Sequence, residues 1–199
     1  MGSSANRLRK KWQDYAAHNA EMAEKDFFIS FNALFHETEY RVRRHPKEFS
    51  NLYVDVKLDK QTLSEIYNPD EPITRHGVFP DYAIDNTETR KTIYVEVKRQ
   101  DGWVEGKKRS AGRGNAHERS CKFFTPGLLK VLRQYGNLGD DTLPFWTVFL
   151  GDITRDPCRV REITLWYDKY TSHYFFWRNS KNANSLIEHF ITKIKPILD

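Results

Sequence analysis

Apolar positions recur at loose helical spacing near the N-terminus: Leu8, Trp12, Tyr15, Met22, Phe27, Phe31 and Phe35. This predicts a helix over residues 5–35, and around Pro46 the chain breaks. Leu52, Val54 and Val56 alternate with Tyr53 and Asp55, as in a strand. Residues 61–67 have the look of a short helix that Asn68-Pro69 ends. The clearest strand covers residues 92–98. Ile93, Val95 and Val97 point one way, and Thr92, Tyr94, Glu96 and Lys98 the other. Asn115 with Glu118 three positions later fits a helix-capping pair. Thr125-Pro126 predicts a second helix start and Gly136 its stop. Residues 145–150 form an unbroken apolar run suited to a buried strand. Residues 163–167 and 174–177 read as two further strands joined as a hairpin. Leu186, Ile187, Phe190, Ile191 and Ile194 mark an amphipathic C-terminal helix. Helices before, within and after a set of strands predict an α/β layer fold, and 199 residues suit a single domain, 1–199.

Composition narrows the class. Aromatic residues make up 14% and charged residues 30%, which excludes a wholly disordered chain. No apolar run approaches the length of a membrane span, so no membrane association is expected. No apolar stretch follows the basic residues between Arg7 and Lys11, so no secretory leader is expected. Cys121 and Cys158 make no metal or redox spacing and suit a reducing compartment, the cytoplasm. The seven histidines are scattered, and no zinc-binding or nucleotide-binding loop pattern stands out.

The net charge of +5 is not spread evenly. Between Lys98 and Lys122 stand eight basic residues and three acids, so this segment holds the whole excess. A focused basic patch favours a polyanion such as nucleic acid.

The chemistry-bearing pattern lies against that patch. Pro80-Asp81 precedes the strand over residues 92–98, and fourteen residues separate Asp81 from Glu96. Glu96 and Lys98, two apart on a strand, share a face. A neighbouring strand turned back at Asp85-Asn86 would run antiparallel and bring Asp81 beside Glu96. Two carboxylates then suit a hard cation such as Mg²⁺, with the backbone carbonyl of Val97 as a further oxygen ligand. A metal there polarises a phosphodiester oxygen and lowers the pKa of an attacking water. Lys98 could hold the phosphate, stabilise developing charge or orient that water. By itself, a Glu/Lys pair on a strand is more often a solvated ion pair. Its place at the mouth of a basic segment is what favours catalysis.

Further text strengthens that reading. Glu96-Val97-Lys98-x-Gln100 and Gly114-Asn115-Ala116-x-Glu118-Arg119-Ser120 resemble the active-site strand and recognition segment of type II restriction endonucleases of the EcoRI/MunI type. Residues 99–107, 110–122, 124–130, 151–156 and 159–164 resemble the MunI branch almost word for word. The likeness covers most of the chain and is weakest before Leu52 and after Asn179. It implies the PD-(D/E)xK, restriction-endonuclease-like fold, a central mixed β-sheet flanked by α-helices. It also implies a homodimer on a palindromic duplex, Mg²⁺ as cofactor, and Asp81, Glu96 and Lys98 as reacting residues. A cognate DNA methyltransferase in the same bacterial host is expected with it. The EcoRI type carries alanine where this chain has Arg113. The MunI-like arginine implies the site CAATTG, cut after the first C to leave 5′ overhangs with 5′-phosphates.

The side chains agree with that division of labour. Asn115 can pair with adenine N6/N7 and Arg113 with guanine O6/N7 in the major groove. Ala116 is small enough to approach a thymine methyl, and Gly114 lets the backbone come close. Glu118 would orient Arg119 and Arg113 or accept from a base amino group. His117 is expected to have a structural or phosphate-contacting role, and Gln100 and Lys107 complete the expected DNA-binding set. Two other classes compete: a DNA-binding regulator without chemistry, and a structure-specific nuclease of the same superfamily.

Overall fold

The computed structural model describes residues 22, 24–102, 117–180 and 182–199. Its centre is a five-stranded sheet in the order β1-β2-β3-β4-β5, formed by Tyr40–Arg44, Tyr82–Asn86, Thr92–Arg99, Phe145–Leu150 and Tyr174–Trp177. β1, β2 and β3 pair antiparallel, whereas β3, β4 and β5 run parallel. The sheet is therefore mixed, as expected. Parallel neighbours need crossovers, and helices supply them.

One sheet face carries Ile93, Val95, Val97, Trp146, Val148 and Leu150. It packs on a helix over residues 24–34 (α1), through Phe27 and Phe31. The C-terminal helical run completes that cover with Leu186, Phe190, Ile194 and Leu198. This run comprises α5 (Asn184–His189), a wide turn at Phe190–Ile194, and α6 (Lys195–Leu198). The other face carries Tyr94, Phe145 and Phe149 and packs on two helices. These are α3 (Pro126–Gly136), through Leu128 and Leu132, and α4 (Pro157–Tyr167), through Ile163 and Tyr167. Gly136 lets α3 approach β3 closely: a Cβ there would lie 2.4 Å from the Thr92 carbonyl oxygen.

Three local expectations are corrected. Residues 163–167 are the last turns of α4, not a strand, so the expected hairpin with β5 does not exist. Asp156 starts this helix by accepting from the amides of Cys158 and Arg159, and Pro157 stands at its first position. Ile163 and Tyr167 are four apart, so one helical stripe buries both, while Leu165 stays exposed. Residues 51–55 are consecutive turns, because among the described residues no neighbouring strand offers a ladder. Val54 donates to the Asn51 carbonyl at 2.9 Å instead.

The helix over residues 61–67 shrinks to α2, Lys60–Glu65, capped by Asp59. Part of the expected N-terminal helix lies outside the described residues, as does Asn115 of the capping pair. The chain following that position is a 3₁₀ turn, Glu118–Phe124. The sequence reading missed β1, an edge strand that faces solvent with Arg41, Arg43 and Arg44. Arginines on an edge discourage pairing with foreign strands.

Candidate active site

The site forms where β2 begins and β3 leaves the hydrophobic core. The β2–β3 register pairs Tyr82 with Val95 and Ala83 with Tyr94. Continued one step, it sets Asp81 opposite Glu96. Asp81 lies just outside β2, so β3 meets a side chain there instead of a strand. Its Oδ2 accepts the Val97 amide at 2.7 Å and the Lys98 ammonium at 3.1 Å. Lys98 also contacts Oε2 of Glu96 directly. The three expected reacting residues thus meet at one ammonium group.

Burial makes this cluster unlike a surface ion pair. The side chain of Glu96 is 5% exposed, and those of Asp81 and Lys98 are 17% exposed. Burial, then the adjacent Asp81 charge, hold the Glu96 carboxyl well above the usual carboxylate range. Burial alone would discharge Lys98, but Glu96 and Asp81 outweigh it and raise its pKa. Lys98 therefore stays cationic between two acids.

The donor set fits a hard cation. Glu96 Oε1 is buried and finds no hydrogen-bond partner among the described residues. A buried carboxylate oxygen without a donor is costly, and a divalent cation would satisfy it. Asp81 supplies a second anionic oxygen beside it. The Val97 carbonyl lies where its amide already leaves the ladder to meet Asp81.

One nearby acid escaped the sequence reading. Glu24, on α1, is half-buried, and burial followed by the charge of Asp81 raises its pKa. Its main-chain carbonyl accepts the Tyr82 hydroxyl at 2.8 Å, which fixes that turn of α1 beside the start of β2. Nothing in the spacing of Glu24 announces this, since the contact joins residues far apart in the chain.

The expected DNA-binding residues divide. Lys107, Arg113, Gly114, Asn115 and Ala116 lie outside the described residues. Glu118 and Arg119 are exposed on the 3₁₀ turn. His117 and Gln100 are both buried and face each other, His117 Nδ1 lying 3.2 Å from Gln100 Oε1. The contacts described for His117, expected in a structural or phosphate-contacting role, are internal, to Gln100 and the Trp166 ring. For Gln100, expected at the DNA, the described contact is internal, because its side chain is occupied by the imidazole.

Known proteins give the same picture from outside. A family model described as type II restriction enzyme MunI matches residues 1–199. The type II restriction enzyme MunI of a Mycoplasma species is 54% identical over 202 residues, covering both chains fully. The crystal structure of MunI restriction endonuclease in complex with cognate DNA superimposes with a TM-score of 0.80 at 53% identity. That match covers 94% of this chain and 97% of the other.

Proposed function

Because this chain belongs to the MunI family of type II restriction enzymes, we propose that it cuts double-stranded DNA at CAATTG, after the first C, as a homodimer in the bacterial cytoplasm. The observation that carries the chemistry is the convergence of Asp81, Glu96 and Lys98 at the half-buried end of an otherwise buried strand.

The residues divide the work as follows. Asp81 and Glu96, with the Val97 carbonyl, hold Mg²⁺. When bound, the cation polarises a phosphate oxygen and makes a water more acidic. Lys98 keeps its proton between the two acids and offers an ammonium to the scissile phosphate or its attacking water. Arg113 reads the outer guanine, and Asn115, with Ala116 beside it, reads the inner AATT. Glu118 orients Arg119 and Arg113. Lys107 and Arg119 add positive charge against the backbone. A cognate methyltransferase would protect the host's own sites.

Digestion of plasmid DNA with and without Mg²⁺, followed by sequencing of the ends, tests the reading. Discrete Mg²⁺-dependent fragments beginning 5′-AATTG support it. Uncut DNA or a preference for branched substrates overturns it. Asp81→Ala sharpens the test, since it removes one of two anions facing the phosphate. Charges about 4 Å apart interact by about 4 kcal/mol at an effective dielectric near 20. The variant is expected to lose cleavage and to bind the site more tightly without metal in a gel shift. Weaker metal-free binding would contradict the proposed repulsion.

A further inference from the structure

The histidine at position 117 is sealed in the protein with 0% exposure, yet none of the chemistry above uses it. Its ring lies parallel to the Trp166 indole on α4, with centroids 5.5 Å apart and an interplanar angle of 10°. Nδ1 faces Gln100 Oε1 at 3.2 Å. Nε2 points toward the carboxylates of Glu162 at 3.5 Å and Glu118 at 3.9 Å, without a satisfactory hydrogen bond to either. The Glu162 carboxylate is itself gripped by Arg159 through both oxygens, at 2.8 and 2.5 Å. Burial, followed by the Arg159 charge, pulls the pKa of His117 down, so the imidazole is neutral.

A neutral imidazole has one N–H to place. With the proton on Nδ1, it donates to Gln100. With the proton on Nε2, it faces Glu162, and the Gln100 amide must turn over to donate to Nδ1. Either arrangement retains the His117–Gln100 bond.

Gln100 is fixed just as firmly. It follows Lys98 by two residues and continues the line of β3. Its amide donates to the Leu150 carbonyl at 3.1 Å, and its carbonyl accepts from Ile153 at 3.2 Å. Gly151, with φ of +83°, allows this approach: a Cβ there would lie 2.6 Å from the Gln100 carbonyl oxygen. The His117 carbonyl in turn accepts the Ser120 hydroxyl at 2.7 Å, holding the start of the 3₁₀ turn that carries Glu118 and Arg119.

One buried hydrogen bond therefore joins the end of the reacting strand to the start of the turn bearing Glu118 and Arg119. We propose that His117 is a positioning residue which, through Gln100, holds the turn bearing Glu118 and Arg119 in register with Asp81, Glu96 and Lys98, so that only the correct sequence is cut quickly. The inference rests on the endonuclease reading given above. It assigns His117 neither a base contact nor a proton transfer.

Amide variants separate the hydrogen bond from simple packing. His117→Asn would set its amide near the place of Nδ1, within reach of Gln100. His117→Gln would set its amide near the place of Nε2, toward Glu162. His117→Leu fills the space without either. Single-turnover cleavage with Mg²⁺ is measured on a duplex containing CAATTG and on duplexes with one changed base pair. His117→Leu and His117→Gln are expected to lower the rate on CAATTG at saturating enzyme by about tenfold or more and to narrow the preference over changed sites by a similar factor. Binding of CAATTG without metal should stay within about threefold, and His117→Asn should restore most of both losses.

Thermal melting of each variant establishes folding. If His117→Leu melts early, the comparison of the two amide variants at a lower temperature decides. Equal defects in those two variants, or an unchanged preference in both, overturn the inference while leaving the endonuclease reading intact. Absence of site-selective cleavage by the unsubstituted protein removes both.

Discussion

The two faces of β3 begin alike and end differently. On one, Ile93, Val95 and Val97 are apolar and remain under α1 and the C-terminal helices, and charge enters only with Arg99 at the last position. On the other, Tyr94 packs against the core shared with α3 and α4, but the next two residues on that face are Glu96 and Lys98. Both faces are shielded, since Glu96 is itself buried. The lesson is that this site is not a surface cluster. It is a core position where the sheet substitutes charge for hydrocarbon and leaves a carboxylate oxygen, Glu96 Oε1, without a partner among the described residues. Such a position costs stability, and that cost marks function more clearly than exposure would.

The comparison can be broken most directly at Glu96. Glu96→Gln keeps the volume but removes the anion. Cleavage in Mg²⁺ is expected to fall by at least about 10³-fold, roughly 4 kcal/mol of transition-state stabilisation. The melting temperature should hold or rise, since a misplaced charge has gone. A sharp loss of stability with retained cleavage would make Glu96 a structural ion-pair partner.

A smaller effect tests the buried imidazole of His173, which lies edge-on to Tyr170 beside the core of the second face. His189, stacked on Trp146 of the first face with centroids 5.7 Å apart, is close enough for its charge to weigh on His173. Burial drives the pKa of His173 down from 6.5 to about 4. The unfolded chain therefore takes up this proton before the folded one does. Stability from the neutral ring is complete above about pH 6.5 and is lost as pH falls toward 4. The loss amounts to about 3 kcal/mol. Glu96 acts in the opposite sense, so a variant must isolate the histidine. In urea denaturation, His173→Gln should gain about 3 kcal/mol on the unsubstituted protein between pH 7 and pH 4. Parallel curves would show that His173 is solvated.

The smallest effect probes the polar content of the second face, where Thr147 stands beside Glu96 in the β3–β4 register. The Tyr167 hydroxyl on α4 donates to Thr147 Oγ1 at 2.6 Å in full burial. Tyr167→Phe should cost about 1–2 kcal/mol, read from the melting temperature, with no change in cleavage preference.

Much of this arrangement is legible in the amino-acid order because it is local. Strict alternation over residues 92–98 assigns both faces of β3 correctly, and the spacing of Asp81, Glu96 and Lys98 brings them together as expected. The misreadings arise where a local pattern serves two masters. Residues 163–167 are apolar enough for a strand, yet Asp156-Pro157 had already started a helix that uses only Ile163 and Tyr167 as its inner stripe. Residues 52–56 alternate but have no partner strand among the described residues, and alternation without a ladder has no hydrogen bonds to offer. Tyr40-Arg-Val-Arg-Arg hid its strand because arginines at an edge look like a solvated link. Glu24 and the His117–Gln100 bond depend on tertiary approach, which no short-range pattern records.

Asp81 has one more consequence. Its carboxylate serves as the final rung of the sheet, taking the Val97 amide that another strand would otherwise claim. The same oxygen holds the Lys98 ammonium, so tethering and the proposed chemistry share one side chain. Replacing Asp81 by a side chain without an acceptor silences the chemistry and also frays the end of β3. Asparagine could keep the rung while deleting the charge. A lineage that abandons cutting but still needs a sound sheet therefore has a narrow exit at this position, and the amide is its least disruptive way out.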